Sequence, residues 1–160
     1  MRALIGAILV GAACTACGSE DGSEGGSDFE VSGAPLAGVI AGQAWTLGTA
    51  ETNAFLSADS GEFWVDLYAQ SFAACTGAAP FDGNHLIASI PKAAGDYSLS
   101  LSLNATFVVE GAAQTENLVA IRGRIIVDEV TDALVRGGVH IEYDASHQVN
   151  GRFEASICPE

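Results

Sequence analysis

Apolar and polar positions alternate with a period of two along most of this chain. Residues 62–68, EFWVDLY, set Phe63, Val65 and Leu67 against Trp64, Asp66 and Tyr68. In 96–103, Tyr97, Leu99, Leu101 and Leu103 alternate with Asp96 and serines, and 105–110, ATFVVE, is β-branched and aromatic. Segment 118–127 reads with Val119, Ile121, Ile125 and Val127 on one face. Segments 134–143 and 149–158 do the same with Val135, Val139, Ile141 and Tyr143, and with Val149, Phe153, Ala155 and Ile157. Period two is the side-chain period of a strand, whereas a helix repeats its apolar face every three to four residues. Weaker strand patterns lie around 38–41, 44–50 and 85–90. Turn-forming runs separate these segments: APFDGNH at 79–85, PKAAGD at 91–96, VTDA at 130–133 and DASHQ at 144–148. The best helical contender, ENLVAIRGRIIVDEV, is opposed by Gly123 and by its density of isoleucine and valine. The pattern predicts an all-β fold, a single antiparallel β-sandwich or small barrel of about eight or nine strands.

The first thirty-five residues follow another rule. Met1-Arg2 is a short basic start, and Ala3 to Ala13 is apolar. That run is too short for a membrane span, which needs about 20 residues, and matches a signal-peptide core. Small residues precede Cys14 and Cys17, and GSEDGSEGGSDFEVSGA follows at 18–34. The segment resembles a bacterial lipoprotein signal, in which a small-residue box ends in a cysteine that takes lipid and becomes the new N-terminus. The resemblance implies a signal at 1–16, a lipidated Cys17, a flexible acidic tether at 17–35 and a domain at 36–160. Cys14 is the alternative acceptor. Cys17 is favoured because the Gly-Ser tether starts directly after it and because Cys75 and Cys158 then remain as a pair. Gly18, in place of an aspartate retention signal, implies the outer membrane. Two other readings compete: a redox-active C-x-x-C motif, which lacks its strand–helix context here, and an ordinary secretory signal.

Charge narrows the partners. The net charge is −14, and the six basic residues are Arg2, Lys92, Arg122, Arg124, Arg136 and Arg152. Nucleic acid and anionic lipid surfaces both require a basic face, so neither is expected as a partner. In an exported chain Cys75 and Cys158 are expected to be oxidised. Their bridge closes a loop of 83 residues, which the chain-entropy relation values at about 4 kcal/mol. Two free buried thiols are the alternative.

Candidate chemistry is sparse. Trp64, Asp66 and Tyr68 share a strand face and offer a weak ligand-binding platform for sugar rings, although such faces more often pack into a second layer. His140, Glu142 and Asp144 alternate along one strand, and His147 lies in the next turn. These are weak metal candidates, but a charged outer face running into a turn produces the same set. Asp82-Gly83-Asn84 and Asp59-Ser60-Gly61-Glu62 read as turns and lack calcium-loop spacing. There is no nucleophile elbow and no Gly-rich loop between strand and helix, and Ser146 and His147 are sequence neighbours in a turn. No cofactor and no catalytic residue is expected. Arg122, Arg124, Arg136 and Arg152 alternate with acids and suggest a solvated face or, more sharply, a docking face for an anionic partner.

The closing run GGVHIEYDASHQVNGRFEASIC, with IAGQAW and IPKAAGDYSL earlier, is similar to uncharacterised β-rich bacterial lipoproteins. That resemblance implies a β-rich lipoprotein of unassigned activity and carries over no catalytic residue. The leading reading of the whole chain is a membrane-anchored cell-envelope binding or structural module, held by its lipid, with an envelope protein or glycan as partner. The alternatives are a lipocalin-like barrel that carries a small ligand, and after it a hydrolytic or metal-dependent enzyme. A carrier would keep a cavity of about 300 Å³ or more inside its barrel.

Overall fold

The computed structural model describes residues 29–77, 79 and 82–159. Cys14, Cys17 and most of the tether lie outside the described residues. The described chain is all-β. Its strands are β1 (Ala37–Ile40), β2 (Gln43–Thr46), β3 (Thr49–Asn53), β4 (Glu62–Tyr68), β5 (His85–Pro91), β6 (Gly95–Ser98), β7 (Ala105–Glu110), β8 (Thr115–Ala120), β9 (Arg122–Val130), β10 (Leu134–Asp144) and β11 (His147–Cys158). Nine of them form one curled sheet in the order β6-β9-β10-β11-β3-β4-β5-β7-β8, and β1 joins it through β11 while holding β2. The sheet closes partway on itself as a half-barrel, with β6 and β8 as its open edges.

One pair departs from the antiparallel expectation. β3 runs parallel to the end of β11, with Glu51, Thr52 and Asn53 opposite Ser156, Ile157 and Cys158. The same edge of β11 pairs antiparallel with β1 near its start, through Gln148, Val149 and Asn150. β11 has twelve residues, against about five or six for a typical strand, so one edge serves two partners in succession.

Two segments that read as single strands are each divided. The 44–50 run breaks at Leu47-Gly48, where Leu47 N–H donates to Leu36 O at 3.0 Å and Gly48 N–H to Tyr68 O at 2.7 Å. The 118–127 run breaks at Ile121, and the face alternation slips there: Ala120 and Ile125 point into the core, while Val119 and Ile121 are exposed. Gly123 makes this corner possible. Its φ is +147°, and a Cβ there would sit 2.2 Å from His140 O, so only glycine fits without strain. The 96–103 run is strand only to Ser98. Leu99 turns inward, but Leu101 is 82% exposed. Tyr143, expected on the inner face, is also exposed, because the ladder slips between Glu142 and Asp144.

The core collects the inward row of every long strand. Leu36, Ile40, Leu67, Leu86, Ile90, Phe107, Ile125, Ile141, Val65, Val135, Val139 and Val149 are its largest fully buried side chains. It is a side-chain-filled interior of the kind a small barrel or sandwich builds.

The end of the tether is fastened to the outer face of β10 and β11. Glu30 O accepts from Asn150 Nδ2 at 3.0 Å and lies 3.0 Å from His140 Nδ1. Ser32 N–H donates to Asn150 Oδ1 at 2.8 Å. Val31 sits against Gly138, where a Cβ would lie 2.6 Å from its Cγ1. Arg152 N–H then donates to Ala34 O, and Leu36 N–H to Arg152 O.

Candidate functional site: a groove beside Trp64

The outer face of β4, β5, β7 and β8 carries a mixed row of side chains. Trp64 stands opposite Ser89, and Asp66 opposite Ile87. Ile87 is opposite Thr106, and Thr106 is opposite Val119. These positions alternate with Phe63, Val65, Leu86, Ala88 and Phe107, which point into the core, so strand geometry alone places them outside. Trp64, Ile87, Ser89, Thr106 and Val119, together with Glu62, Ser102, Asn104 and Asn117, line a groove of about 430 Å³.

Trp64 is the dominant apolar surface of the groove and is 60% exposed. Its main chain is nevertheless fixed on both sides. Its carbonyl accepts from Thr52 Oγ1 at 2.8 Å, and its N–H donates to Ser57 Oγ at 3.3 Å. Thr52 and Ser57 are buried. Lys92 Nζ donates to Ser57 O and lies 5.1 Å above the Phe63 ring. One wall of the groove is the 99–104 turn, braced internally. Ser100 N–H donates to Leu103 O at 2.7 Å, Asn104 Nδ2 donates to Leu101 O at 3.1 Å, and the Ser100 and Ser102 hydroxyls are 3.1 Å apart. The side chains of Ser89, Thr106 and Asn117 have no hydrogen-bond partner among the described residues.

The expected Trp64–Asp66–Tyr68 platform is divided. Tyr68 is buried, with its ring 5.4 Å from Phe72 and 5.2 Å from His85. Burial pushes its hydroxyl up to about 12, with Asp66 and Glu51 adding to the effect. Asp66 lies between, half-buried. Burial raises its carboxyl pKa, His85 opposes this, and Glu51 reinforces it. Trp45 points into the core and donates from Nε1 to Asn84 O at 3.2 Å.

Asp66 supplies a pH prediction. A carboxyl whose pKa is raised on folding favours the folded state in its protonated form, and that advantage is lost as pH rises through the folded pKa. Asp66→Asn is therefore expected to raise the melting temperature at pH 7. The gain should shrink as pH falls through about 4 and vanish below about pH 3, where the aspartate is protonated in both states. Thermal melts of the two proteins from pH 3 to 8 check this, and an equal difference at all pH values would contradict it.

The weak metal candidates each have another partner. His140 faces Glu30 O, and its ring meets Phe29 edge-on at 5.2 Å. Glu142 pairs with Arg122 at 2.6 Å. Asp144 pairs with His147 at 2.8 Å, and the hydrogen bond from His147 is the main reason its carboxyl is held below the usual range. The sole group of three metal-type ligand atoms among the described residues is Glu51 with Cys75 and Cys158. The two sulfurs are bonded to each other at 2.08 Å, as expected for this pair. Glu51 Oε2 instead accepts from Cys75 N–H at 2.7 Å.

The basic face is neutralised from within. Arg136 holds Glu129 at 2.9 Å and Glu154 at 2.5 Å. Arg152 pairs with Asp128. Arg124 Nε donates to Asp96 Oδ1 at 2.8 Å, and this bond holds the Asp96 carboxyl below its usual range. Every arginine among the described residues thus faces a carboxylate, which leaves little for an anionic partner.

Ser89, Asn104, Thr106 and Asn117 carry no motif and were not singled out by sequence. Their signal is a faint one: small neutral polar residues at the outward positions of otherwise apolar strands. Comparison of the chain with protein-family models, with curated proteins and with solved structures returns no match.

Proposed function

We propose that this chain is a lipid-anchored cell-envelope binding module whose ligand sits in the groove beside Trp64. The observation that carries the reading is a tryptophan 60% exposed on a rigid sheet, in a groove whose volume of about 430 Å³ lies within the usual range for small-ligand sites. A small-ligand carrier is less well supported, because the interior is occupied by side chains from Leu36 to Val149. Hydrolysis is less well supported too. Glu62 is the one ionisable side chain among the described groove residues, and glycoside cleavage uses a pair of carboxyls. No helix among the described residues is long and apolar enough to cross a membrane, so in this reading attachment rests on the lipid at Cys17.

Two measurements test the two halves of the proposal. Cys17→Ala is expected to release the protein from membrane pellets; release by Cys14→Ala with Cys17→Ala still bound would transfer the anchor to Cys14. For the groove, iodide quenches exposed tryptophan. With Trp45 only 5% exposed, iodide reports on Trp64 in the unaltered protein. One of the glycan, protein or lipid fractions of an envelope extract is expected to shield Trp64 from iodide. Full quenching in the presence of all three would remove the groove as the ligand seat.

A further inference from the structure

We infer that the groove beside Trp64 is built for a short, uncharged sugar chain. The inference rests on the groove being the ligand seat and names the chemistry of what it takes. Four features of the lining carry it together.

The first is the flat indole. Its ring face is apolar and electron-rich, and the C–H face of a pyranose offers a matching flat, weakly positive surface. The second is the neutral polar set. Ser89, Thr106 and Asn117 come from three different strands, and their side chains have no partner among the described residues. Hydroxyls and amides both donate and accept, which suits sugar hydroxyls, since these also do both. An aliphatic ligand would bury these groups unpaired, at a cost that makes such sites reject analogues lacking the hydroxyl.

The third feature is charge. Among the described lining residues there is no Lys, Arg or His, and Glu62 is the one carboxylate. A phosphate or sulfate would find no cation. A uronic acid would meet Glu62 and a protein of net charge −14, with the repulsion screened but not abolished by salt. The fourth is rigidity. The ligand-facing groups project from paired strands and from a turn braced by its own hydrogen bonds. Little ordering is then required when a ligand arrives, and preorganisation of this kind raises the affinity of a shallow site.

The geometry assigns roles. Trp64 stacks on the ring, Ser89 and Thr106 meet hydroxyls along the floor, and Asn117 meets them from the β8 side. Ile87 and Val119 fill the apolar space between these groups.

The test is iodide quenching of the purified full-length protein during titration with neutral β-linked gluco-oligosaccharides, N-acetylglucosamine oligomers and, separately, oligouronic acids of equal length. At least one neutral series is expected to shield Trp64 saturably and shift its emission to the blue. The uronic series should bind at least tenfold more weakly. Trp64→Ala should weaken neutral-sugar binding at least tenfold, read by calorimetry, and Ser89→Ala and Asn117→Ala about threefold to tenfold each. All three positions are on the outer face, so the variants are expected to keep the parent melting temperature. Two controls separate the possible failures. If 1-octanol or a neutral aliphatic peptide shields Trp64 and no sugar does, the groove stands as a ligand seat and the sugar assignment is overturned. If nothing shields Trp64, both fall. Oligouronic acids binding as tightly as neutral sugars would overturn the requirement for an uncharged chain.

Discussion

Replacing Cys75 and Cys158 together by Ala is expected to lower the stability of the domain by about 4 kcal/mol. The bridge spans 83 residues and ties the connection after β4 to the last residue of β11. Most of the effect lies in the unfolded chain, which without the bridge gains the entropy of an open loop. A second, smaller part lies in the folded state. The end of β11 is held by the parallel pairing of three residues with β3, and Glu51 of β3 accepts from Cys75 N–H, both next to the bridge. Urea titration of the oxidised and substituted proteins measures the difference, and the slope of stability against urea should steepen as the unfolded chain expands. Native protein with two alkylatable thiols, or a substituted protein with an unchanged midpoint, would show that the pair does not act this way.

Phe107→Ala is expected to be of similar size, about 3–5 kcal/mol. Phe107 is fully buried, stands between Leu86 on β5 and Leu118 on β8, and meets the His147 ring at 5.9 Å. It therefore joins the far half of the sheet to the turn between β10 and β11. Its removal leaves a cavity that the paired strands around it cannot collapse to fill. Phe107→Leu, which keeps most of the volume, should lose under about 1.5 kcal/mol. The informative contrast is with Trp64→Ala on the opposite face of the same sheet. That change removes a larger ring yet should alter stability by no more than about 0.5 kcal/mol, as surface substitutions do. A loss below 1 kcal/mol for Phe107→Ala, measured by the urea midpoint, would mean that the half-barrel is held together elsewhere.

The contrast between Phe107 and Trp64 also marks how much of the candidate site was legible in sequence. Trp64 drew attention because it alternates with Phe63 and Val65, and its outward orientation follows from that alternation. Its two companions on the same strand face have other surroundings. Residues that share a strand face share a direction but not a surrounding, and Phe72 and His85 cover Tyr68 while Trp64 is 60% exposed. The partners that do flank Trp64 lie on other strands. Ser89 faces it directly, and Thr106 and Asn117 enter only because β7 pairs with β5 and β8 with β7. No spacing rule links those positions, so no motif could have announced them.

By itself the sequence determined the local physics. Its period-two alternation rules out helices and selects the inward rows Phe63-Val65-Leu67, Val135, Val139 and Ile141, and Val149, Phe153 and Ala155. The turn chemistry at 130–133 and 144–148 predicts the β9–β10–β11 meander, and Cys75 and Cys158, the two cysteines outside the N-terminal Cys14 and Cys17, predict the bridge. Pairing beyond the hairpins was decided only in the tertiary structure. Alternation records which side of a strand a residue occupies and is silent about which strand lies next to it. The parallel union of β3 with the end of β11 closes contacts across about a hundred residues of chain, whose loop-closure entropy is repaid only by the assembled core. The corner at Ile121 likewise depends on His140 O lying where a Cβ of residue 123 would be, a contact that exists only once β9 and β10 have paired.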